Sequence, residues 1–224
     1  MTKIIIFGNG EIASLSKYYF NSISKKIDFF CVDDDFIKES KFENTPILPF
    51  SELKNKDKNE SKLFVALSYS QQNKLRENKF NEIKKLGFQF ESFIHENSYI
   101  SSGAKIGLNC LILENQTIQR DVEIGNNVII WSGNHVGHSS KILSHTYISS
   151  HVVISGHCKI GERCFLGVNS SVKDFTTLGH DVFVGMGASV TNDTKSGSVV
   201  INNSSQTFDE NDKRAKILKK GFFK

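Results

Sequence analysis

From Ile94 to Val190 an aliphatic residue returns at every sixth position without a slip. The series runs Ile94, Ile100, Ile106, Ile112, Ile118, Ile124, Ile130, Val136, Ile142, Ile148, Ile154, Ile160, Leu166, Val172, Leu178, Val184 and Val190. Glycine follows the aliphatic at 107, 125, 137, 161, 167, 179 and 185. Small or β-branched residues dominate four places after it, from Ala104 and Cys110 to Ala188 and Thr194. A period of six matches neither the 3.6 of a helix nor the 2 of a strand. It predicts a parallel β-helix in which each hexapeptide is a short strand and a turn, and three hexapeptides close a triangular coil. The aliphatic fills the interior, the small residue fits the inner corner, and residues eighteen apart stack. Seventeen rungs predict five to six coils, a prism on the order of 25 Å tall at ~4.8 Å per coil. Both prolines, Pro46 and Pro49, precede the repeat, so its ladders are free to pair.

The first ninety residues follow another pattern. KIIIF reads as a buried strand, GNGEIA as a tight turn opening a helix, and IDFFCVDDD as a second strand ending in Asp33, Asp34 and Asp35. KLFVALSYS is a third strand with Leu67, Ser68 and Tyr69 at its C-terminal end. QQNKLRENKFNEIKKLGF is an amphipathic helix capped by Gly87. The expectation is a small Rossmann-like parallel α/β domain over 1–92, a β-helix over 93–200 and a solvated basic tail over 201–224. Gly8, Gly10 and Ala13 fit a loosened G-x-G-x-x-A, whose bare backbone approaches a phosphate at a helix N-terminus. Asp33 lies twenty-three residues after Gly10, about where a ribose-binding acid belongs. One such unit is half a dinucleotide fold, so a mononucleotide or nucleotide sugar suits it better than NAD. The alternatives are a plain tight turn at G-N-G and a solvated strand end at the three aspartates.

Composition narrows the field. A net charge of +4, its excess gathered near the C-terminus, does not suggest a nucleic-acid surface. No apolar run approaches the ~20 residues that span a bilayer, and the N-terminus does not read as a signal peptide. The four cysteines form no CxxC, and Cys110, Cys158 and Cys164 fall on the small-residue position, as packing residues. A reducing, cytoplasmic setting is expected. Five of the seven histidines lie between 135 and 157. His138 falls at a turn, two residues after Val136, where it can leave the prism. His135 precedes an inward valine. His145, His151 and His157 read as turn or wall residues, His95 and His180 as surface. No two histidines are five apart, which argues against the zinc site known on this kind of prism, and no metal is expected.

The repeat resembles the hexapeptide-repeat acyltransferases, whose left-handed β-helices form trimers. IIIFGNGEIA, VDDDF, GFQFESFIHENSYIS and HCKIGERCFLGVNSSV together resemble the branch that acetylates nucleotide-linked amino sugars, with relatives that O-acetylate sialic acid. The resemblance implies an acetyl-CoA-dependent N-acetyltransferase of bacterial surface-glycan synthesis, active as a homotrimer. GNHVGHSS and ISSHVVISGHCKIG are similar to a sub-branch acting on dTDP-4-amino-4,6-dideoxyglucose. The family's catalytic histidine stands twenty-three residues before the glycine of the later KIG, which here is His138 before Gly161. The family has an acid next; this chain has Ser139. The resemblance further implies that Gly8, Asn9, Gly10, Glu11, Asp33, Asp34, Asp35, Ser68 and Tyr69 hold the nucleotide sugar, with Asn134 and His135 near the reacting group. Gly156, Gly167 and Asn169 are expected to contact CoA, and a backbone N–H near Gly156, stacked one coil above His138, is the candidate oxyanion donor. Sugar O-acetylation and a non-catalytic scaffold are the competing readings. SGSVVINNSSQTF lacks the Pro-Ala-Lys turn common after such prisms.

Overall fold

The structure, a computed structural model, describes residues 3–202 and 207–222. Residues 203–206 of SGSVVINNSSQTF and the end of the basic tail, 223–224, fall outside them. The N-terminal part contains β1 (Lys3–Phe7), α1 (Glu11–Ser22), β2 (Ile27–Val32), β3 (Lys41–Phe42), β4 (Thr45–Pro49), α2 (Phe50–Leu53), β5 (Ser61–Val65) and α3 (Lys74–Lys85). Its sheet has the order β3-β4-β2-β1-β5, parallel except for the β3–β4 edge. That edge hairpin is absent from the sequence reading, because two prolines in five residues argue against a strand. The structure tolerates them beside the short β3 edge.

Eighteen two-residue strands follow, β6 to β23, from Phe93–Ile94 to Val199–Val200. They stack in three parallel sheets of seven, six and five strands, each paired with the strand eighteen residues on until the last, β23, which breaks that spacing. The arrangement fits a left-handed β-helix. The aliphatic of each rung points inward, and Ile112 through Val190 are buried. Ile94 is 38% exposed and Ile100 and Ile106 are only partly buried, since no coil lies beneath them. The cysteines on the corner position are buried and free.

The residue before each aliphatic points outward and gives each face its chemistry. One face carries Phe93, Leu111, Ile129, Tyr147 and Phe165. The α/β sheet packs α1 onto it, and these residues join Ile4, Ile6, Tyr19 and Phe20 in one core. A second carries Lys105, Glu123, Lys141 and Lys159, with Lys141 and Glu123 3.1 Å apart; it is a solvated face. The third carries Tyr99, Thr117, His135, Val153, Ser171 and Ser189, with no charge fixed at neutral pH.

A polar ladder joins the two parts along one corner, where Asn109, Asn127, His145, Arg163 and Asp181 all take left-handed backbone. Asn109 accepts from the Val65 N–H at 2.7 Å and donates to Asn127 at 2.8 Å. Asn127 meets His145 Nδ1 at 2.8 Å. Arg76 of α3 is fully buried and donates to the Asn127 carbonyl, to Asn73 at 2.9 Å and to the His145 carbonyl at 3.1 Å. A buried guanidinium is tolerable only with such a set of acceptors. Burial brings it down to about 10, which leaves it charged at neutral pH. His95, expected at the surface, is half-buried in the junction, edge-on to Tyr19 at 5.8 Å. No helix among the described residues is long and apolar enough to cross a membrane.

Two outcomes follow from this packing. Burial, with the charges of Arg76, Arg163 and Lys84 next, pushes His145 down to about 4. The unfolded chain therefore takes up this proton first, near pH 6.5. The stability contributed is fully present above about pH 6.5 and is lost as pH falls to about 4. Thermal melts across that window should show a falling Tm, and His145→Asn, which also suits left-handed backbone, should flatten the fall. Gly8 has φ +119°, and a Cβ there would lie 2.8 Å from the Ala66 carbonyl oxygen. Gly8→Ala should lower stability by about 2–3 kcal/mol in urea unfolding. Gly10→Ala, whose Cβ would meet nothing within 4 Å, should leave the midpoint nearly unchanged.

Candidate active site

A cavity of about 730 Å³ opens where the C-terminal ends of β1 and β5 meet the prism. Its size suits a small-molecule ligand. Gly8, Asn9, Gly10 and Glu11 form one lip, Ser68 and Tyr69 another, and Trp131 and Tyr147 of the prism close the far wall. Gly10 is the N-cap of α1 and supplies no side-chain cap. The Gly10 carbonyl takes the N–H groups of Ala13 and Ser14, each at 3.0 Å. The first turn of α1 thus presents free N–H groups and its positive dipole end to the cavity, a setting for an anion. Trp131 donates its indole N–H to the Tyr147 hydroxyl, which fixes both rings. Burial pushes the Tyr147 phenol up to about 12, so it stays neutral.

The three aspartates separate. Asp33 lines the cavity and binds Lys79 at 2.5 Å. Burial works against the Lys79 ammonium, yet its bonds to Asp33 and Glu82 raise its pKa above the ordinary value. Asp34 turns away and accepts the Ser51 N–H at 3.0 Å, and bonds from Ser51 hold its carboxyl below the usual range. Asp35 is exposed and does not line the cavity. The expected cluster of three therefore reduces to Asp33, because the chain turns into a 3₁₀ segment, Asp34–Phe36, directly after the strand.

Asn134 also departs from expectation. It is 2% exposed, at an inner corner, and bonds to the Trp131 carbonyl and the Val152 N–H. Gln116 sits one coil earlier in the same column and donates to the Trp131 carbonyl at 2.8 Å. These two amides brace the loop that carries Trp131 and do not face a ligand. His135 is half-buried on the uncharged face, between Thr117 and Val153. Gly167 is buried, and a Cβ there would lie 2.7 Å from the Met186 nitrogen, so its bareness serves coil stacking. Asn169 is an exposed corner residue at φ +57°.

His138 is exposed at the opposite edge of the uncharged face from Trp131. A shallow groove of about 480 Å³ joins it to Tyr99, Ser101, Thr117, Gln119 and Arg120. Its backbone N–H donates to Gln119 Oε1 at 2.9 Å. Its ring stands over Gly156, where an added Cβ would lie 2.9 Å from Nε2. The Gly156 N–H has no hydrogen-bond partner among the described residues. An exposed imidazole thus lies beside a free backbone donor, an arrangement suited to proton transfer next to a developing oxyanion. No carboxylate of the described residues bonds to the ring. His151 and His180 are exposed, and no group of three metal-binding side chains occurs among the described residues.

Trp131 and Tyr147 are the residues the sequence reading missed. Tyr147 blends into its aromatic and aliphatic column, and the only signal was Trp131, a bulky ring directly after Ile130 where seven other rungs carry glycine.

Residues 89–207 match the family model described as the GMPPB C-terminal domain. No curated protein matches the sequence. A solved histidine-to-asparagine variant of perosamine N-acetyltransferase from Caulobacter crescentus, in complex with CoA and GDP-perosamine, superposes with a TM-score of 0.81. Its identity is 22%, over 90% of this chain and 94% of that one. The acetyltransferase domain of PglB from Neisseria gonorrhoeae FA1090 gives 0.79 at 21% identity, over 93% and 100%. WeeI from Acinetobacter baumannii AYE gives 0.62 at 18%, over 92% and 99%. At such identities the likeness is one of fold. The chain belongs to the GMPPB C-terminal domain family, and over most of its length it has the fold seen in these sugar acetyltransferases.

Proposed function

We propose that the chain is an acetyl-CoA-dependent N-acetyltransferase acting on a nucleotide-linked amino sugar. The observation that carries this reading is the exposed His138 imidazole close to Gly156, whose N–H has no partner among the described residues. The cavity at α1 supports the acceptor half. Its uncapped helix terminus suits a diphosphate, Asp33 suits a ribose hydroxyl, and Trp131 with Tyr147 gives a sugar an aromatic wall. The small N-terminal unit is Rossmann-like in this role. Two relatives of the same fold were solved with CoA and GDP-perosamine or with acetyl coenzyme A, which supports the donor.

In the reaction, the amine nitrogen attacks the thioester carbonyl carbon and a C–N bond forms. His138 accepts the proton lost by nitrogen. The carbonyl oxygen gains negative charge, and the Gly156 N–H donates to it. The C–S bond then breaks, and His138 returns the proton to the departing thiolate. No acyl-enzyme is formed, in keeping with the burial of all four cysteines. Donor, substrate class and free thiols suit the cytoplasm.

Within one chain the cavity and the groove at His138 share no lining residue. Trp131 and His138 stand on either side of the strand His135–Val136. A neighbour across the uncharged face closes that gap, so the active species is a homotrimer with each site shared by two chains.

Thiol release from acetyl-CoA should appear with one of a panel of dTDP-, UDP- and GDP-linked amino sugars, dTDP-4-amino-4,6-dideoxyglucose being the first choice. His138→Ala should lower kcat by about 10²- to 10⁴-fold with the fold intact by circular dichroism. Turnover of a hydroxyl acceptor alone would move the protein to O-acetylation. Sedimentation should give a trimer. Mixed trimers of His138→Ala with a cavity-blocking Gly10→Trp chain should regain about a quarter of wild-type rate, because random pairing completes that share of sites. Mixtures with no more activity than their parents would place each site within one chain.

A further inference from the structure

The corner column that follows His138 holds Asp121, Ser139, His157 and Phe175, with φ of 60°, 58°, 56° and 59°. Left-handed backbone favours Asn, Asp and Gly, and a bulky Phe is disfavoured there. Phe175 is also 70% exposed, so it adds nothing to the prism core. It does one visible thing: its ring lies parallel to that of His157, at 4.8 Å and 4°. His157 in turn meets His138 edge to face, at 4.8 Å and 89°. The His138 ring also lies close to Gly156, where an added Cβ would come within 2.9 Å of Nε2. Ser139, where the resemblance leads one to expect an acid, makes no bond to the imidazole among the described residues.

We infer that an aromatic ladder, His138–His157–Phe175, orients the imidazole in place of the missing acid, with His157 and Phe175 as positioning residues. This rests on His138 as the base. Edge-to-face and parallel contacts between such rings carry angular preference, so they restrict rotation as a hydrogen bond to a carboxylate otherwise would. The backbone strain at Phe175 is then tied to the site and not to the fold.

The test is steady-state kinetics with acetyl-CoA and the amino sugar that the panel turns over. His157→Ala and Phe175→Ala should each lower kcat by about tenfold or more while both KM values stay within about twofold, because the ring loses its aim and the substrates keep their contacts. His157→Phe should recover most of the loss, since it keeps the stack without the imidazole. The Tm of Phe175→Ala should not fall. Full kcat in both alanine variants beside an inactive His138→Ala would overturn the ladder and leave the base in place. Full activity of His138→Ala would remove both. Failure of His157→Phe to improve on His157→Ala would make the His157 imidazole itself the required group, against this inference. Dissociation of the trimer by Phe175→Ala would make Phe175 an interface residue, with the same result.

Discussion

Everything in this molecule depends on the stacking of like positions eighteen residues apart. A two-residue strand has no stability alone; it gains hydrogen bonds only from the coils above and below. A residue placed once in a coil is therefore seen by its successor eighteen later, and side chains form columns. The inner columns are aliphatic and close the prism. The corner columns are where the chain departs from mere packing. One is the Asn109–Asp181 ladder that receives α3, another is the Ser139–Phe175 column beside His138. The same register that builds the wall also aligns the groups that act.

The three faces divide the work. The aromatic and aliphatic face is consumed by the α/β part, and the cavity forms at the rim of that contact. The charged face meets water. The face between Trp131 and His138 is left with small, aromatic and imidazole groups. The cavity lies along one of its edges and the imidazole along the other, which is the arrangement behind the proposal of a site shared by two chains.

The period of six was legible because the core of a β-helix is one residue per rung, and a single slipped aliphatic would have shown. The strand-turn-helix at Gly8 was legible for a similar reason: it is local. What escaped was set by contacts distant in sequence. Asp34 and Asp35 look equivalent to Asp33 until the chain turns toward Ser51. Asn134 looks like a ligand group until its corner closes around it. Trp131 and Tyr147 acquire meaning only when residues 8–11 are folded against them. Face chemistry, by contrast, was present in the sequence. The residue before each aliphatic, read every eighteenth, separates Phe93-Leu111-Ile129-Tyr147 from Lys105-Glu123-Lys141-Lys159.

The start of α3 lies across the corner ladder like a splint. Gln72 reaches the Asp181 carbonyl at 2.7 Å, Asn73 the Arg163 and Cys164 carbonyls at 3.2 Å, and Arg76 the Asn127 and His145 carbonyls. A bare solenoid unzips from its ends, one coil at a time, because each coil knows only its neighbours. Four coils tied to one rigid helix cannot fray singly. They open together with the sheet that holds α3, and the cavity opens with them. Among the described residues, the turns beyond Asp181 and the first turn before Asn109 lack such a tie to α3.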